Sequence, residues 1–455
     1  MGLVAIAAVA GYVINGQAQS VDSLLDKLVD KGVLTVKEAN ELRDETDKDF
    51  TKAYSAKSGM SEWVSALKFN GDVRGRYESF YYANDTAGVT GTDRHRFRYR
   101  LRFGVTAALM DNFEAGFRLG SGDLDGGITS GVDPISNNQS FQNNGSKKGV
   151  FLDLAYGKWT PLRSEDWLGS VTIGKMENPF VFSDMVFDGD YTPEGAALQL
   201  AYNLSEAHSL RMNGGAFVLD EIGAHSEDPY LYGGQVRLES TWNKHWSSSV
   251  GVAWLAIENE QALATTVGGS PSVPNINAGN TRGASANTSV GALANALVYD
   301  FHPVVADASL TYTLEEFWRY KAPFPIRLGG DFIHNPNAGT ENNAWSAGIT
   351  FGKAGKKGLW ELSYRYKYLE ADAWYEEVVD SDFGAFYQGA SPNTGGSTGY
   401  LTGTNVKGHI LKASYSPFNA LTLGVTAFFS ELINESPIPS ESKATRVQVD
   451  AVLKF

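Results

Sequence analysis

The 455-residue chain contains no cysteine. A disulfide framework, a cysteine-ligated metal and a thiol nucleophile are therefore excluded. Histidine is nearly as scarce. The seven (His95, His208, His225, His245, His302, His334 and His409) are scattered, and no HExxH pattern accompanies them, so nothing points to an enzyme. A surplus of basic charge is also missing. With 52 acidic and 38 basic residues the net charge is −14, which argues against a general nucleic-acid binder. Long apolar runs are absent beyond the N-terminus, and a membrane helix needs about 20 such residues. If this chain crosses a membrane, it does so with strands.

The N-terminus reads as export. Residues 2–14 are apolar and of signal-peptide length, and Gly16 to Ala18 offer small residues for cleavage, giving a signal peptide over 1–18. No basic segment precedes the apolar core. Residues 19–60 then read as a short periplasmic helical hairpin or coiled-coil arm. Gly32 closes a first helix, and Thr35 with Glu38 forms a capping box for a second.

From Val64 onward the period changes to two. In "LKFNGDVRGRYE", Leu67, Phe69, Val73 and Tyr77 share one face, while Lys68, Asn70, Asp72, Arg74, Arg76 and Glu78 share the other. "LWELSYRYKYL" sets Trp360, Leu362, Tyr364, Tyr366 and Tyr368 against Glu361, Ser363, Arg365 and Lys367. The last run alternates Val447, Val449, Ala451, Leu453 and Phe455 against Arg446, Gln448, Asp450 and Lys454. Such alternation marks strands with one apolar and one polar face. About sixteen runs of this kind fill residues 61–455. Connections after even-numbered runs are short, as at 111–112, 204–208, 243–245, 354–357 and 416–419. Several after odd-numbered runs are long, as at 121–148, 177–194, 260–298 and 372–404. A soluble sandwich has no reason to sort its loops by parity. A transmembrane barrel has: short turns at the periplasmic end, long loops outside. The expected fold is therefore all-β, a transmembrane antiparallel β-barrel of about 16 strands with lipid outside and water inside.

The run "RHRFRYRLRF" places Arg94, Arg96, Arg98, Arg100 and Arg102 on one face. Phe97, Tyr99, Leu101 and Phe103 take the other, with His95 near the outer end. Arg74 and Arg76 on the preceding strand and Arg118 on the following one extend this into a basic wall facing the lumen. Arginines at every second position lie roughly 6.6–7 Å apart. They repel one another unless water, anions or carboxylates screen them. The segment 177–195, "ENPFVFSDMVFDGDYTPEG", carries Glu177, Asp184, Asp188, Asp190 and Glu194 without a lysine or arginine. It also carries Phe180, Phe182, Val186, Phe187 and Tyr191, which a solvent loop would not favour. It is expected to fold into the barrel and narrow it, its acids facing the arginine wall across a constriction with a transverse field.

The segment Asn178 to Gly195, the N-terminal "LLDKLVDKGVLTVKEANELR", the arginine-bearing second strand and the C-terminal Phe455 together resemble the putative-porin family of Gram-negative outer membranes. That family is similar in plan to the sixteen-stranded general diffusion and phosphate-selective porins. The resemblance implies passive diffusion of small hydrophilic solutes and ions across the outer membrane, in a homotrimer, with no cofactor. An arginine ladder is similar to that of phosphate-selective channels, so a substrate-specific anion channel is the alternative. The acidic, lysine-free loop speaks against it. Three other readings stand further off: an outer-membrane hydrolase, a plugged adhesive barrel and a soluble secreted β-protein.

Overall fold

The computed structural model describes residues 61, 63–83, 93–123, 134–222, 227–263, 278–285, 293–384, 403–434 and 442–455. The signal peptide (1–18) and helical arm (19–60) expected from the sequence lie outside these residues. Two units are present: Lys68–Thr106 with Asn112–Phe455 holds nearly all of the barrel sheet, and the described residues of the other are Ser61, Trp63–Leu67 and Ala107–Asp111.

Sixteen long strands follow one another along the chain: β1 Val64–Ala83, β2 Arg94–Leu109, β3 Phe113–Gly120, β4 Phe151–Arg163, β5 Trp167–Lys175, β6 Glu194–Asn203, β7 His208–Val218 and β8 Tyr230–Thr241; then β9 Trp246–Glu258, β10 Val304–Leu314, β11 Phe324–His334, β12 Asn343–Gly352, β13 Trp360–Leu369, β14 Val406–Tyr415, β15 Leu421–Leu432 and β16 Lys443–Lys454. The sheet is antiparallel and closes on itself: β16 pairs with β1 from Asp72↔Lys454 to Ala83↔Lys443. Closure leaves no edge strand, which suits a sheet in lipid, where an unpaired backbone group has no water to bond. Phe455 joins the seam. Gly71 N–H donates to its carbonyl at 2.9 Å, and its own N–H donates to Gly71 O at 3.1 Å. A side chain at position 71 would strike the Phe455 ring, with a Cβ 2.6 Å from it, so glycine is required there.

The parity of the loops is as the sequence implies. The even-numbered strands end in short turns, such as Met110–Asn112, where Asp111 and Asn112 adopt positive φ. Aspartate and asparagine tolerate that conformation better than most residues. Aromatic pairs gather at this end of the barrel, on the outside: Phe113 on Trp159, Trp167 on Tyr202 (4.3 Å) and Trp246 on Tyr312 (4.7 Å). Such a belt fits the membrane–water interface. Along the strands, Phe97, Val252, Leu328 and Phe332 point outward and exposed, while Arg98, Arg237 and Asp331 between or beside them are buried.

The buried apolar cluster is not made mainly by the wall. Met176, Phe180, Met185, Val186 and Phe187 come from the loop after β5, and Trp374, Tyr375, Val378, Val379 and Phe383 from the loop after β13. Strand residues such as Phe217, Leu231 and Leu255 complete it. The inner apolar surface is thus shared between the inward loops and the wall.

Candidate functional site

The loop 176–193 leaves β5 at Gly174 and enters β6 at Gly195, which face each other in the ladder. Both have positive φ, 110° and 155°, and a Cβ on either would lie within 2.3 Å of a neighbouring carbonyl oxygen. Only glycine lets the two strands part there. Phe180 then packs edge-on against Phe217 of β7, 6.2 Å between centroids. The backbone of Val181 is clamped by Gln235 of β8: its N–H donates to Oε1 at 2.9 Å, and its carbonyl accepts from Nε2 at 2.8 Å. Ser183 donates to Asp331 of β11. Asp184 accepts from Arg365 at 2.8 Å and pairs with Lys367 at 3.2 Å, both on β13. Asp190 pairs with Arg100 at 3.2 Å and Arg102 at 3.0 Å on β2. Glu177 pairs with Arg118 of β3. One segment reaches β2, β3, β7, β8, β11 and β13, strands from all around a closed sheet. It can do that only from inside the barrel.

The eight arginines of the expected wall are brought together unequally. Arg76 bonds Asp450 at 2.7 Å, Asp382 at 3.0 Å and Glu78 at 3.4 Å. Arg96 bonds Glu78 at 2.5 Å, and Glu78 also holds Arg446 at 2.7 Å. Arg98 donates to the carbonyl of Asn138 at 3.1 Å and reaches Asp123 at 3.4 Å. Arg100 and Arg102 share Asp72, at 2.9 and 3.2 Å, as well as Asp190. Arg118 holds Asp153. Arg74 donates to Asn138 Oδ1 at 2.6 Å. Arg94 is exposed at the start of β2 and stays outside this network. Arg76, Arg98 and Arg100 are each less than a tenth exposed. Carboxylates, more than water, therefore supply the screening that so dense a column of cations needs. Removing one partner of a buried pair costs roughly 3–5 kcal/mol, so such a network fixes geometry firmly.

The acids divide likewise. Asp190 and Glu177 meet the arginines of β2 and β3, as the sequence suggests. Asp184 meets the opposite wall, at β13. Glu194 is the first residue of β6 and pairs with Lys175 at 2.9 Å, mostly exposed and away from the ladder. Asp188 meets no arginine of the wall. It accepts from the N–H of Asp190 at 2.7 Å and of Ser381 at 3.3 Å. Burial, with Asp380 and Asp190 close by, pushes its carboxyl well above the usual aspartate range.

A second inward loop, 370–384, is a finding of the structure. It meets the first along a backbone seam: Asp188 N–H donates to Val378 O at 2.7 Å, and Asp380 N–H to Asp184 O at 3.0 Å. Trp374, fully buried, donates its indole N–H to Val186 O at 2.8 Å and packs edge-on against Phe187. Asp382 pairs with Arg76 and with Arg446 at 2.8 Å. Burial alone would raise the Asp382 carboxyl; Arg446, Arg76 and Arg74 overcome this and hold it well below the usual range. The loop after β9 is tied in through Arg282, which pairs with a fully buried Glu376 at 2.5 Å.

Residues 88–287 match the family model described as "Putative porin". No curated protein matches the chain. Solved structures that it resembles include Pseudomonas putida OprB at high pH, 12% identical, with 89% of this chain and 97% of that one covered and a TM-score of 0.50. Salmonella typhi OmpF in complex with daunomycin is 10% identical over 86% of this chain and 97% of that one, with a TM-score of 0.46. The outer-membrane channel DcaP of Acinetobacter baumannii is 11% identical over 86% and 97%, with a TM-score of 0.41.

Proposed function

We propose that this chain, an outer-membrane channel of the porin type by its family match and its closed sixteen-stranded barrel, lets small hydrophilic solutes and ions diffuse passively through a water-filled lumen narrowed by its own loops. It is a channel and not an enzyme. The observation that carries the narrowing is the path of loop 176–193, anchored on β2 through Asp190 and on β13 through Asp184. The arginines of β1 to β3 form one side of this constriction, where they fasten the acidic loop and contribute to a transverse field. Phe180, Met185, Val186 and Phe187 of the loop are consumed in packing, which leaves mainly charged and hydroxyl groups, with Val181 and Phe182, for the solute. The reading includes export by the segment 1–18, supported by its apolar run and small residues, and a Gram-negative outer membrane and a homotrimer, supported by the family resemblance. A phosphate-specific channel would need a run of unpaired cations along its path, and the ladder's arginines are mostly taken up by carboxylates.

Swelling of liposomes that contain the purified protein tests this. Neutral sugars should enter at rates that fall steeply with size, without saturation. Exclusion of all sugars and of small ions alike would remove the channel reading.

A further inference from the structure

The barrel interior has a second side. Against the first inward loop lies a cavity of about 370 Å³, bounded by Val181 to Asp184 above and by Arg237 of β8 and β10 to β14 around it. One water needs only roughly 10–15 Å³ of such space, so this volume is filled by solvent. Its hollowness follows from the sequence. At neighbouring inward positions on β10, β11 and β12 stand Ser309, Gly329 and Gly348, in register with one another. Three successive strands thus present almost no side chain at one level. None of the arginines of β1 to β3 borders this space.

Four cations and four carboxylates line the cavity. Arg237 pairs with Asp307 at 2.6 Å, Arg365 with Asp184 at 2.8 Å and Lys412 with Glu361 at 3.2 Å. Asp331 accepts from Ser183 and Ser346. Arg327 differs. It is exposed, its one bond among the described residues is to Ser309 Oγ at 3.2 Å, and no carboxylate among them pairs with it. It lies on the inward face of β11, since its neighbour Leu328 is 59% exposed on the outward one. A guanidinium left unpaired beside hydroxyls of Ser309 and Thr350 is a fork suited to a planar or tetrahedral oxyanion.

We propose that solutes pass along the β10–β13 wall rather than beside the arginines of β2, and that Arg327 meets the oxyanion of a permeating solute, whether a carboxylate or a phosphate. This rests on the porin reading and adds to it which wall the solute touches and by which residue. The ladder of β2 then serves chiefly to hold the loops, and the aqueous path lies opposite it. Ion pairing keeps the other three cations of the cavity occupied, so Arg327 is the cation left to meet the solute.

Planar-bilayer recordings of the full-length protein test this with Arg327→Gln, Arg327→Glu and, as a control, Lys244→Gln in the exposed turn after β8. In a potassium chloride gradient, Arg327→Glu should lower the anion-to-cation permeability ratio at least threefold, and Arg327→Gln by less. With potassium gluconate or potassium phosphate replacing chloride, Arg327→Gln should lose relative permeability to whichever oxyanion the wild type carries. Ser309→Cys, in a chain otherwise free of cysteine, gives a second measurement: a sulfonate-bearing thiol reagent should cut its current at least twofold. Conduction in all variants with wild-type reversal potentials, or complete modification of Ser309→Cys without change in current, overturns the proposal and leaves the channel reading intact. Absence of conduction in the wild type overturns the channel reading itself.

Discussion

The most demanding perturbation of the interior is Trp374→Ala. Trp374 is wholly buried where the two inward loops meet, packs on Phe187 and Phe301, and bonds Val186 O at 2.8 Å. Truncating a buried tryptophan costs about 3–5 kcal/mol, because the cavity left behind collapses only in part. The unsatisfied carbonyl of Val186 adds to that cost. The loss falls on the loop seam and not on the ladder of backbone bonds that closes the barrel. At 1.4 kcal/mol per tenfold, the ratio of docked to undocked loops should drop by roughly two to three and a half decades. The barrel should therefore still fold and insert, while the lumen should widen intermittently. In planar bilayers the variant should show larger mean conductance and frequent steps between levels where the wild type is quiet. A Trp374→Ala channel as quiet as the wild type, at the same conductance, would refute the idea that the seam holds the constriction.

Three further outcomes follow from the same geometry. Asp190→Asn leaves Arg100 and Arg102 with Asp72 alone, a loss of roughly 3 kcal/mol for a buried pair; noisier current and a lower cation-to-anion permeability ratio should result, and an unchanged reversal potential would count against the anchor. Gly233→Val should expel Phe180, whose ring would lie 2.5 Å from the new Cβ, at a cost of about 1–3 kcal/mol; thermal unfolding in detergent should shift downward. Asp188 has its carboxyl pushed well above the usual range, by burial and by Asp380 and Asp190. The folded state therefore binds its proton more tightly than the unfolded one, and this stabilisation, full at low pH, is lost as pH rises from the ordinary aspartate value of roughly 3.9 through the raised one. Above it the loop also gains a negative charge. The cation-to-anion permeability ratio should rise with pH across that window in the wild type and rise less in Asp188→Asn.

How far the fold was legible is seen in β2. Alternation alone separates Arg98, Arg100 and Arg102 from Phe97, Tyr99, Leu101 and Phe103, because side chains of a strand point by turns to opposite faces. Loop parity then distinguishes a membrane barrel from a sandwich. The inward course of 176–193 was legible from its phenylalanines, which a solvated loop would not carry. The same signal stands in "ADAWYEEVVDSDF", 371–383, but there it is diluted by the Gly-, Ser- and Asn-rich residues that follow in the same long connection, 372–404. Partner choice was harder to read. Asp72, Glu78 and Asp450 share the polar face with the arginines, but their pairing with Arg100, Arg96 and Arg76 depends on strand register, which alternation does not specify. Asp184 turned to β13 for the same reason: which wall a loop side chain reaches is set by the path of the backbone. The cavity beside Arg327 was hidden because it is made of what is missing. Gly329 and Gly348 look unremarkable along the chain and become a hollow only when the register lays them side by side.

The proposed function is that of a loop-narrowed but open, passive channel. Single-channel conductance of the purified protein, recorded in potassium chloride from about 0.1 M to about 3 M, tests it most directly. Discrete steps that grow in proportion to bulk conductivity are expected. Conductance that saturates at low salt, or no steps at all, would contradict it.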